Sequence, residues 1–415
     1  MKELFADVAI IGGGPAGLAA AVEAYDGGAQ NVLILERDQS LGGILQQCIH
    51  DGFGLHRFGQ RLSGTEYAQR YVDMVAERNI EVKLDTMVIE LTEDRVIYAI
   101  NPKDGMMRIR CKSVILAMGC RERTASQVFI YGSRPAGVLT AGAVQRYINI
   151  EGYLPGKHAV ILGSGDIGLI MARRMTLEGV KVEGVFEAMP NPGGLTRNIV
   201  QCLHDYNIPL HLSTTVVRVH GKKRIEGVTV AKVGPDFRAI EGTEQYIPCD
   251  LLVLAVGLIP ENELSRGAKV EMDPRTKGPV LDNNMMTSVP GIFAAGNVAV
   301  VFDLVDYVSA SGVTAAKGAL KFIRGELKEQ PEYRAVSAGE NVNFVIPQRV
   351  RADADGETNF YLRVKRPLTK VQLLCEEGEN IIAKKRETHA APPEMMAFSA
   401  KTFGNADIQV SVKEV

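Results

Sequence analysis

The chain has 415 residues, of which 46% are hydrophobic and 23% are charged, and its formal net charge is −2. This length and composition favour two to four ordinary globular domains. The balanced charge disfavours nucleic-acid binding, and the lack of any apolar run of about 18 residues predicts no membrane span.

The six cysteines are scattered along the chain, and no pair has C-x-x-C spacing. This pattern disfavours a dithiol redox pair, a thiolate zinc site and an iron–sulfur cluster, so we expect no metal site. Unpaired cysteines are typical of a reducing compartment. Because Met1–Asp7 also lacks the features of a signal peptide, the sequence predicts a cytoplasmic protein.

The chain begins with a pattern of strand, glycine turn, helix and second strand. Val8–Ile11 is followed by the turn Gly12–Gly17, and Asn31–Leu35 ends at Glu36. In such a unit the first glycine makes the tight turn, the second lets the backbone approach a pyrophosphate, and the third allows close helix packing. The terminal carboxylate can accept hydrogen bonds from ribose hydroxyls. The pattern therefore predicts a dinucleotide site.

The same pattern returns in the middle of the chain. His158–Leu162 leads to the turn Gly163–Gly168, and a later strand, Lys181–Phe186, ends at Glu187. The first glycine and the carboxylate are 24 positions apart in both copies (36 − 12 and 187 − 163). This spacing indicates an internal duplication and a second dinucleotide site.

Further apolar strands each end at a glycine, and a helix is predicted near Asp306–Ile323. These strands are Ser113–Met118 before Gly119, Leu251–Val256 before Gly257, and Gly291–Ala295 before Gly296 and Asn297.

The texture changes after about residue 330, where short β-type segments predict a small antiparallel β domain. The segments are Val342–Ile346, Asn359–Val364 and Val371–Leu374. Lys365, Arg366 and Lys370 border them, as expected of guarded sheet edges. With only Cys375 and His389 as metal-type ligands, this tail predicts partner docking, dimer formation or a cover for the preceding domain.

Three motifs carry a resemblance to a known family: Gly12–Gly17, Leu41-Gly42-Gly43 and Thr287–Asn297. They resemble the FAD signatures of the two-dinucleotide-domain flavoproteins, which include thioredoxin reductases, nitrite reductase and NADH oxidases. The resemblance covers roughly residues 5–325. It implies an α/β fold with two Rossmann-like domains, the second inserted in the first. FAD would bind the first domain and NAD(H) the second.

This resemblance implies domain bounds and cofactor contacts. The FAD-binding domain would comprise residues 1–125 and 256–330, the NAD(P)-binding domain 126–255, and the C-terminal β domain 331–415. The candidate FAD residues are Gly12, Gly14, Pro15, Ala16, Gly17, Glu36, Arg37, Gly42, Gly43, Val88, Ala117, Gly119, Gly296 and Asn297. The candidate NAD(H) residues are Gly163, Gly165, Asp166, Ile167, Gly168, Glu187 and Gly257.

Three other segments, Gly43–His50, Ser133–Val138 and Ile150–Lys157, resemble one branch of that family. It contains the flavin subunits that accompany anaerobic glycerol-3-phosphate dehydrogenases, and the α subunits of heteromeric proline dehydrogenase and cyanide synthase. The resemblance implies a homo- or hetero-oligomer with a partner dehydrogenase subunit. A self-contained flavin NADH oxidase or small-metabolite oxidase, and a flavin-binding module without turnover, are the alternatives.

Two residues depart from the family pattern. Asn297 stands where the family usually has an aspartate, and its amide oxygen can still accept a hydrogen bond. Cys48 lies near the position of one redox cysteine but has no partner cysteine. It is either an inert small apolar residue or a catalytic thiol over the flavin.

The glycine-rich loop Gln46–Gln60 carries His50, Asp51, His56 and Arg57. It either supplies a substrate or acid–base group or has a purely structural role.

Overall fold

A computed structural model describes residues 1–328, 331–354, 356–401 and 406–415; residues 329–330, 355 and 402–405 lie outside the described residues. The chain forms two compact units. One comprises Met1–Cys120 with Pro260–Val415, and the other comprises Arg121–Ile259. The second unit is therefore inserted into the first, as the sequence predicts. Among the residues described, no helix is long and apolar enough to cross a membrane.

Strands outnumber helices in the part of the chain that the structure describes. The first part of the first unit contains β1 (Lys2–Ile11), α1 (Pro15–Asp26), β2 (Val32–Leu35), β3 (Asp51–Phe53), β4 (Leu62–Ser63), α2 (Gly64–Glu77), β5 (Glu81–Lys83), β6 (Met87–Leu91), β7 (Val96–Asn101) and β8 (Gly105–Leu116). The inserted unit, with its two connecting strands, contains β9 (Cys120–Glu122), β10 (Tyr131–Gly132), β11 (Val138–Thr140), α3 (Ala141–Asn149), β12 (His158–Leu162), α4 (Asp166–Leu177), β13 (Lys181–Phe186), α5 (Thr196–Cys202), β14 (Leu210–His211), β15 (Thr214–His220), β16 (Gly227–Lys232), β17 (Gln245–Pro248), β18 (Leu251–Leu254) and β19 (Leu258–Pro260). The remainder contains α6 (Glu263–Gly267), β20 (Ile292–Ala294), α7 (Val305–Ile323), β21 (Tyr333–Ala338), β22 (Val342–Ile346), β23 (Arg349–Arg351), β24 (Glu357–Val364), β25 (Leu368–Glu377), β26 (Asn380–Ala390), β27 (Met396–Lys401) and β28 (Ile408–Glu414).

The central sheet of the first unit has the strand order β5-β2-β1-β8-β7-β6, and β20 pairs with the end of β8. Strands β5, β2, β1, β8 and β20 run parallel. Ala6 and Val8–Ile11 of β1 are buried, which is typical of a parallel strand covered on both faces. This arrangement brings the carboxyl ends of β1, β2 and β20 to one edge of the sheet.

Helices α1 and α7 pack closely in the first unit because small residues face each other. A Cβ atom on Gly312 of α7 would overlap the carbonyl oxygen of Ala16 in α1. A Cβ on Gly296, just before α7, would lie 2.8 Å from the Cβ of Ala16. The segment around Gly296 is therefore fixed against the start of α1.

The inserted unit repeats the parallel arrangement on a smaller scale. Its main sheet has the order β11-β18-β12-β13-β14, and all its pairs are parallel. A second sheet contains the antiparallel strands β15, β16 and β17, and β10 pairs in parallel with β15.

The tail forms a small β domain with two sheets, of orders β23-β21-β28-β25-β26 and β22-β24-β27. The three predicted strands exist, and two of them extend further than predicted. The tail is thus the small β domain that the sequence predicts, but it is not antiparallel throughout, because β21 pairs in parallel with β28. The last strand returns to lie between β21 and β25, and its antiparallel pairing with β25 leaves it parallel to β21.

Buried polar contacts join this tail to the rest of the first unit. Arg351 is fully buried, and its Nη1 lies 3.9 Å from Oδ2 of the buried Asp282. Its Nη2 donates to the carbonyl oxygen of Lys328 at 3.1 Å. Arg349 donates from Nη2 to the carbonyl oxygen of Thr287 at 3.0 Å.

Candidate functional site

The first glycine turn has the backbone geometry that a bound pyrophosphate requires. Gly12 has φ +107°, and a Cβ there would overlap the carbonyl oxygen of Ala117, while a Cβ on Gly17 would overlap that of Gly12. Gly14 differs, because no heavy atom would lie within 4 Å of its Cβ. Since α1 begins directly after Gly14, the open space lies before unpaired N–H groups of a helix N-terminus.

The second turn repeats this geometry in the inserted unit. Gly163 has φ +103°, and a Cβ there would overlap the carbonyl oxygen of Ala255, while a Cβ on Gly168 would overlap that of Gly163. Again the middle glycine, Gly165, would place no Cβ within 4 Å of a heavy atom, and α4 begins directly after it. Both turns therefore fit a dinucleotide phosphate in the same position.

Each turn is braced by the carboxylate at the end of its second strand. In the first unit, Oε2 of Glu36 accepts the N–H of Gly13 at 2.6 Å, and Oε1 accepts the N–H of Asp38 at 2.8 Å. Glu36 is buried. Each oxygen keeps a further lone pair, so the carboxylate fits a ribose hydroxyl beside the turn.

Glu187 braces the second turn in the same way. Its Oε2 accepts the N–H and the hydroxyl of Ser164 at 2.9 and 2.7 Å, and its Oε1 accepts the N–H of Met189 at 2.9 Å. The Ser164 hydroxyl also accepts the N–H of Gly193 at 2.8 Å. Asp166 accepts the N–H of Leu195 at 2.9 Å. These two bonds hold Gly193 and Leu195, in the segment after Glu187, against the turn Gly163–Gly168.

Other candidate FAD residues gather around the first turn. The N–H of Gly42 donates to the carbonyl oxygen of Gly13 at 2.8 Å, and a Cβ on Gly43 would lie 3.1 Å from the Cα of Gly14. Pro15 and Ala16 form the first turn of α1, and Ala117 lies beneath Gly12.

The remaining candidates occupy less informative positions. Gly119 and Gly257 both have positive φ, +72° and +102°. Val88 is buried within β6, Arg37 is exposed after Glu36, and Ile167 lies in the first turn of α4.

Asn297 is held at both ends of its amide. Its Oδ1 accepts the N–H of Phe302 at 3.0 Å, and its Nδ2 contacts Sγ of Cys120 at 3.5 Å. Oδ1 keeps one lone pair for a ligand hydroxyl. Asn297, which stands where the family usually has aspartate, therefore fits a flavin ribityl chain.

Cys48 is packed inside the first unit. It ends the short 3-10 turn Gly43–Gln47, and its Sγ donates to the carbonyl oxygen of Ile44 at 3.3 Å. A Cβ on Gly64 would lie 2.6 Å from the Cβ of Cys48. This packing supports the interpretation of Cys48 as a small apolar residue. Burial raises the pKa of Cys111, Cys249 and Cys375 to about 12, so these thiols are unreactive.

The loop residues of Gln46–Gln60 have structural contacts. The His50 ring lies 5.0 Å from that of Phe53, and Asp51 pairs with Arg61 at 2.9 Å. The N–H of His56 donates to Asp306 at 3.1 Å.

His56 and Arg57 also line a cleft of about 480 Å³ with α7 and the tail strands β24 and β27. No sequence motif predicted that the tail strands β24 and β27 would line this cleft. Among the described residues, no group of three or more His, Cys, Asp or Glu side chains could hold a metal ion.

The profile of the pyridine nucleotide-disulphide oxidoreductase family matches residues 6–319. Hydrogen cyanide synthase subunit HcnB from Pseudomonas protegens is 27% identical over 63% of this chain and 58% of that protein. An opine oxidase subunit from Agrobacterium tumefaciens is 27% identical over 71% of this chain and 61% of that protein. The chain thus spans about three fifths of the length of both relatives. The structure of T. acidophilum thioredoxin reductase superposes with a TM-score of 0.61 and 25% identity, covering 76% of this chain and 98% of that one.

Proposed function

This chain belongs to the pyridine nucleotide-disulphide oxidoreductase family, and we propose that it is an FAD-dependent NAD(P)H oxidoreductase, the electron-transferring subunit of a heteromeric dehydrogenase. The turn Gly12–Gly17 and Asn297 would hold FAD, which would supply a two-electron centre able to exchange a hydride with NAD(H). A partner subunit of the glycerol-3-phosphate dehydrogenase type oxidises the metabolite.

The duplicated turn is the observation that carries this proposal. One chain contains two glycine positions open to a phosphate, at Gly14 and Gly165, each braced by a carboxylate. This arrangement supports one nucleotide cofactor on each unit.

The cysteine pattern supports a partner as the exit for electrons. Cys48 is the only cysteine in residues 1–110, so that part of the chain has no dithiol to relay electrons to a disulfide. Two relatives, HcnB and the opine oxidase protein, are themselves named as subunits. Both observations favour delivery to another protein.

The test uses the purified full chain and its native complex. We expect NADH to bleach the flavin under anaerobic conditions, while NADH consumption in air stays slow until the copurifying dehydrogenase subunit and the oxidised form of its metabolite, which accepts the electrons, are both added. Steady NADH consumption in air by the chain alone would instead establish a self-contained oxidase. A flavin that NADH fails to reduce would exclude both functions.

A further inference from the structure

The C-terminal β domain holds the segment that follows Asn297. Arg363 of β24 donates from Nη2 to the carbonyl oxygen of Val301 at 3.0 Å. The N–H of Met395 donates to Oδ2 of Asp303 at 2.8 Å. Two residues of this segment are thus anchored by hydrogen bonds from the tail.

Phe302, between them, is anchored by packing. It is buried, and its ring meets the ring of Tyr361 edge-on with centroids 5.3 Å apart. The ring of Tyr361 also packs edge-on against the ring of Tyr307 in α7, with centroids 5.5 Å apart. The full buried cluster consists of Val300, Phe302, Phe344, Ile346, Tyr361 and Met395. It joins the segment after Asn297 to strands of the tail.

The same Phe302 fixes the side chain of Asn297. Its N–H donates to Oδ1 of Asn297 at 3.0 Å. A backbone shift at Phe302 would therefore break this bond and leave the amide with its contact to Sγ of Cys120 alone. The chain of contacts runs from Arg363 and Tyr361, through Val301 and Phe302, to Asn297.

The charge on Arg363 is partly buried, and Asp303 is the carboxylate that lies near it. Burial lowers the pKa of Arg363, and the nearby Asp303 opposes that shift. A guanidinium stays charged nonetheless, and a partly buried charge is tolerated where hydrogen bonds satisfy it. Among the described residues, the guanidinium makes one hydrogen bond, to the carbonyl oxygen of Val301, while its Nε is buried without a partner. The bond to Val301 therefore gives Arg363 a defined position on the segment.

We propose that Arg363 and Tyr361 are positioning residues for the flavin site, acting through Phe302 on the amide of Asn297. This inference rests on the proposed function, with the FAD ribityl chain beside Gly296 and Asn297. The C-terminal β domain is then a component of the flavin site, and its loss or displacement alters how FAD is held.

The first test compares Arg363→Met with Arg366→Met in the full chain. Arg366 is exposed in the same domain and pairs with Glu414, so it is a matched control. We expect Arg363→Met to weaken FAD binding about ten-fold and to shift the visible flavin spectrum, whereas Arg366→Met matches the parent. Arg363→Lys, whose ammonium group can still donate to the carbonyl oxygen of Val301, should keep most of the FAD affinity that Arg363→Met loses. Both apoproteins should still unfold in one cooperative thermal transition, which separates positioning from misfolding. Parent-like FAD affinity and spectrum in Arg363→Met would overturn the inference.

The second test asks whether the effect passes through Asn297. Asn297→Ala should itself weaken FAD binding, and adding Arg363→Met to it should cost little more, because the two changes break one chain of contacts. Fully additive losses would show that Arg363 acts by another route and would overturn the inference. An Asn297→Ala variant with parent-like FAD binding would overturn it as well, while leaving the FAD chemistry intact. A parent chain that binds no FAD would remove the proposed function too.

Discussion

Gly14 and Gly165 occupy equivalent positions in two copies of one turn. Their φ angles of −79° and −63° are open to any residue, and a Cβ at either would lie more than 4 Å from every heavy atom counted around it. A substitution there should spare the fold and report on the ligand alone. By contrast, Gly12 and Gly17 are required by the fold itself, because a Cβ at either would overlap backbone.

Gly14→Val and Gly165→Val therefore form a reciprocal pair. Gly14→Val should yield folded apoprotein without FAD, because the branched side chain occupies the phosphate space. Gly165→Val should retain its yellow flavin but lose reduction by NADH. Visible absorbance and anaerobic NADH titration measure both effects. Normal FAD content in Gly14→Val would contradict the placement of FAD on the first turn.

Glu187 predicts a preference for NAD(H) over NADP(H). Its carboxylate is fixed at the second turn by Ser164 and Met189, where it would accept a ribose 2′-hydroxyl and repel a 2′-phosphate. The segment Ala188–Gly194 contains no arginine to hold that phosphate. Glu187→Arg should shift the ratio of flavin reduction rates toward NADPH, whereas Glu241→Arg on an exposed loop should not. Equal rates with both nucleotides in the parent would refute the preference.

Cys48→Ser tests the two interpretations of the lone thiol. Because Cys48 is packed against the turn Gly43–Gln47 and Gly64, we expect stopped-flow reduction by NADH at a rate similar to the parent. A loss of ten-fold or more, about 1.4 kcal/mol of barrier, would instead assign the thiol a part in the reaction.

Residue spacing was enough to predict the glycines and carboxylates of the two turns, because all of them lie within one supersecondary unit. The hydrogen bond between Gly193 and the Ser164 hydroxyl, and the one between Phe302 and Asn297, were not predictable. Each depends on loop conformation, which hydrophobic period and motif spacing do not determine. The bond from Arg363 to Val301 spans 62 residues and requires the whole tail to be folded.

At the scale of elements, apolar runs predicted the buried parallel strands well, whereas the polar strands of the tail escaped notice. Val8–Ile11 lies within β1, and His158–Leu162 is β12 itself. Strand β26 was missed because most of its eleven residues are exposed. Its pairing with β25, rather than its own pattern, makes it a strand. The parallel partner of β21 was missed because it comes from the far end of the tail.

The junction between the tail and the preceding segment predicts a pH effect. Burial raises the pKa of Asp282 from an ordinary value of 3.8 to about 6, although Arg351 lowers it. The folded chain then binds this proton more tightly than the unfolded chain, so this group's contribution to stability falls as pH rises from about 4 to about 6.

Asp282→Asn should remove that contribution while keeping an acceptor for the N–H groups of Asn284 and Met286. Urea unfolding of parent and variant at several pH values within this window measures the difference. Identical pH slopes in the two proteins would contradict the assigned proton.

For the whole molecule, the resemblance of the glycine motifs to the two-dinucleotide-domain flavoproteins implied the insertion of the second domain in the first. It did not predict how the tail is joined, since the buried pair Asp282 and Arg351 and the cluster around Phe302 have no sequence signature.

These junctions bear on removal of the tail. A chain ending before Arg334 would expose Asp282 and the apolar surface of Phe302, so we expect it to lose FAD or precipitate. Size-exclusion chromatography and flavin content measure this outcome. A soluble truncated chain that keeps FAD and NADH reduction but no longer binds its partner subunit would establish the tail as a docking domain instead.

The chain enters and leaves the inserted unit through neighbouring strands. Strand β9 pairs with β19, and the N–H of Arg123 donates to the carbonyl oxygen of Gly257 at 3.0 Å. A domain whose two ends lie side by side can be replaced by another domain without distorting the domain that surrounds it. Recombination at these two strands would thus exchange the nicotinamide specificity proposed for the inserted unit, while the flavin site proposed around Asn297 stayed unchanged.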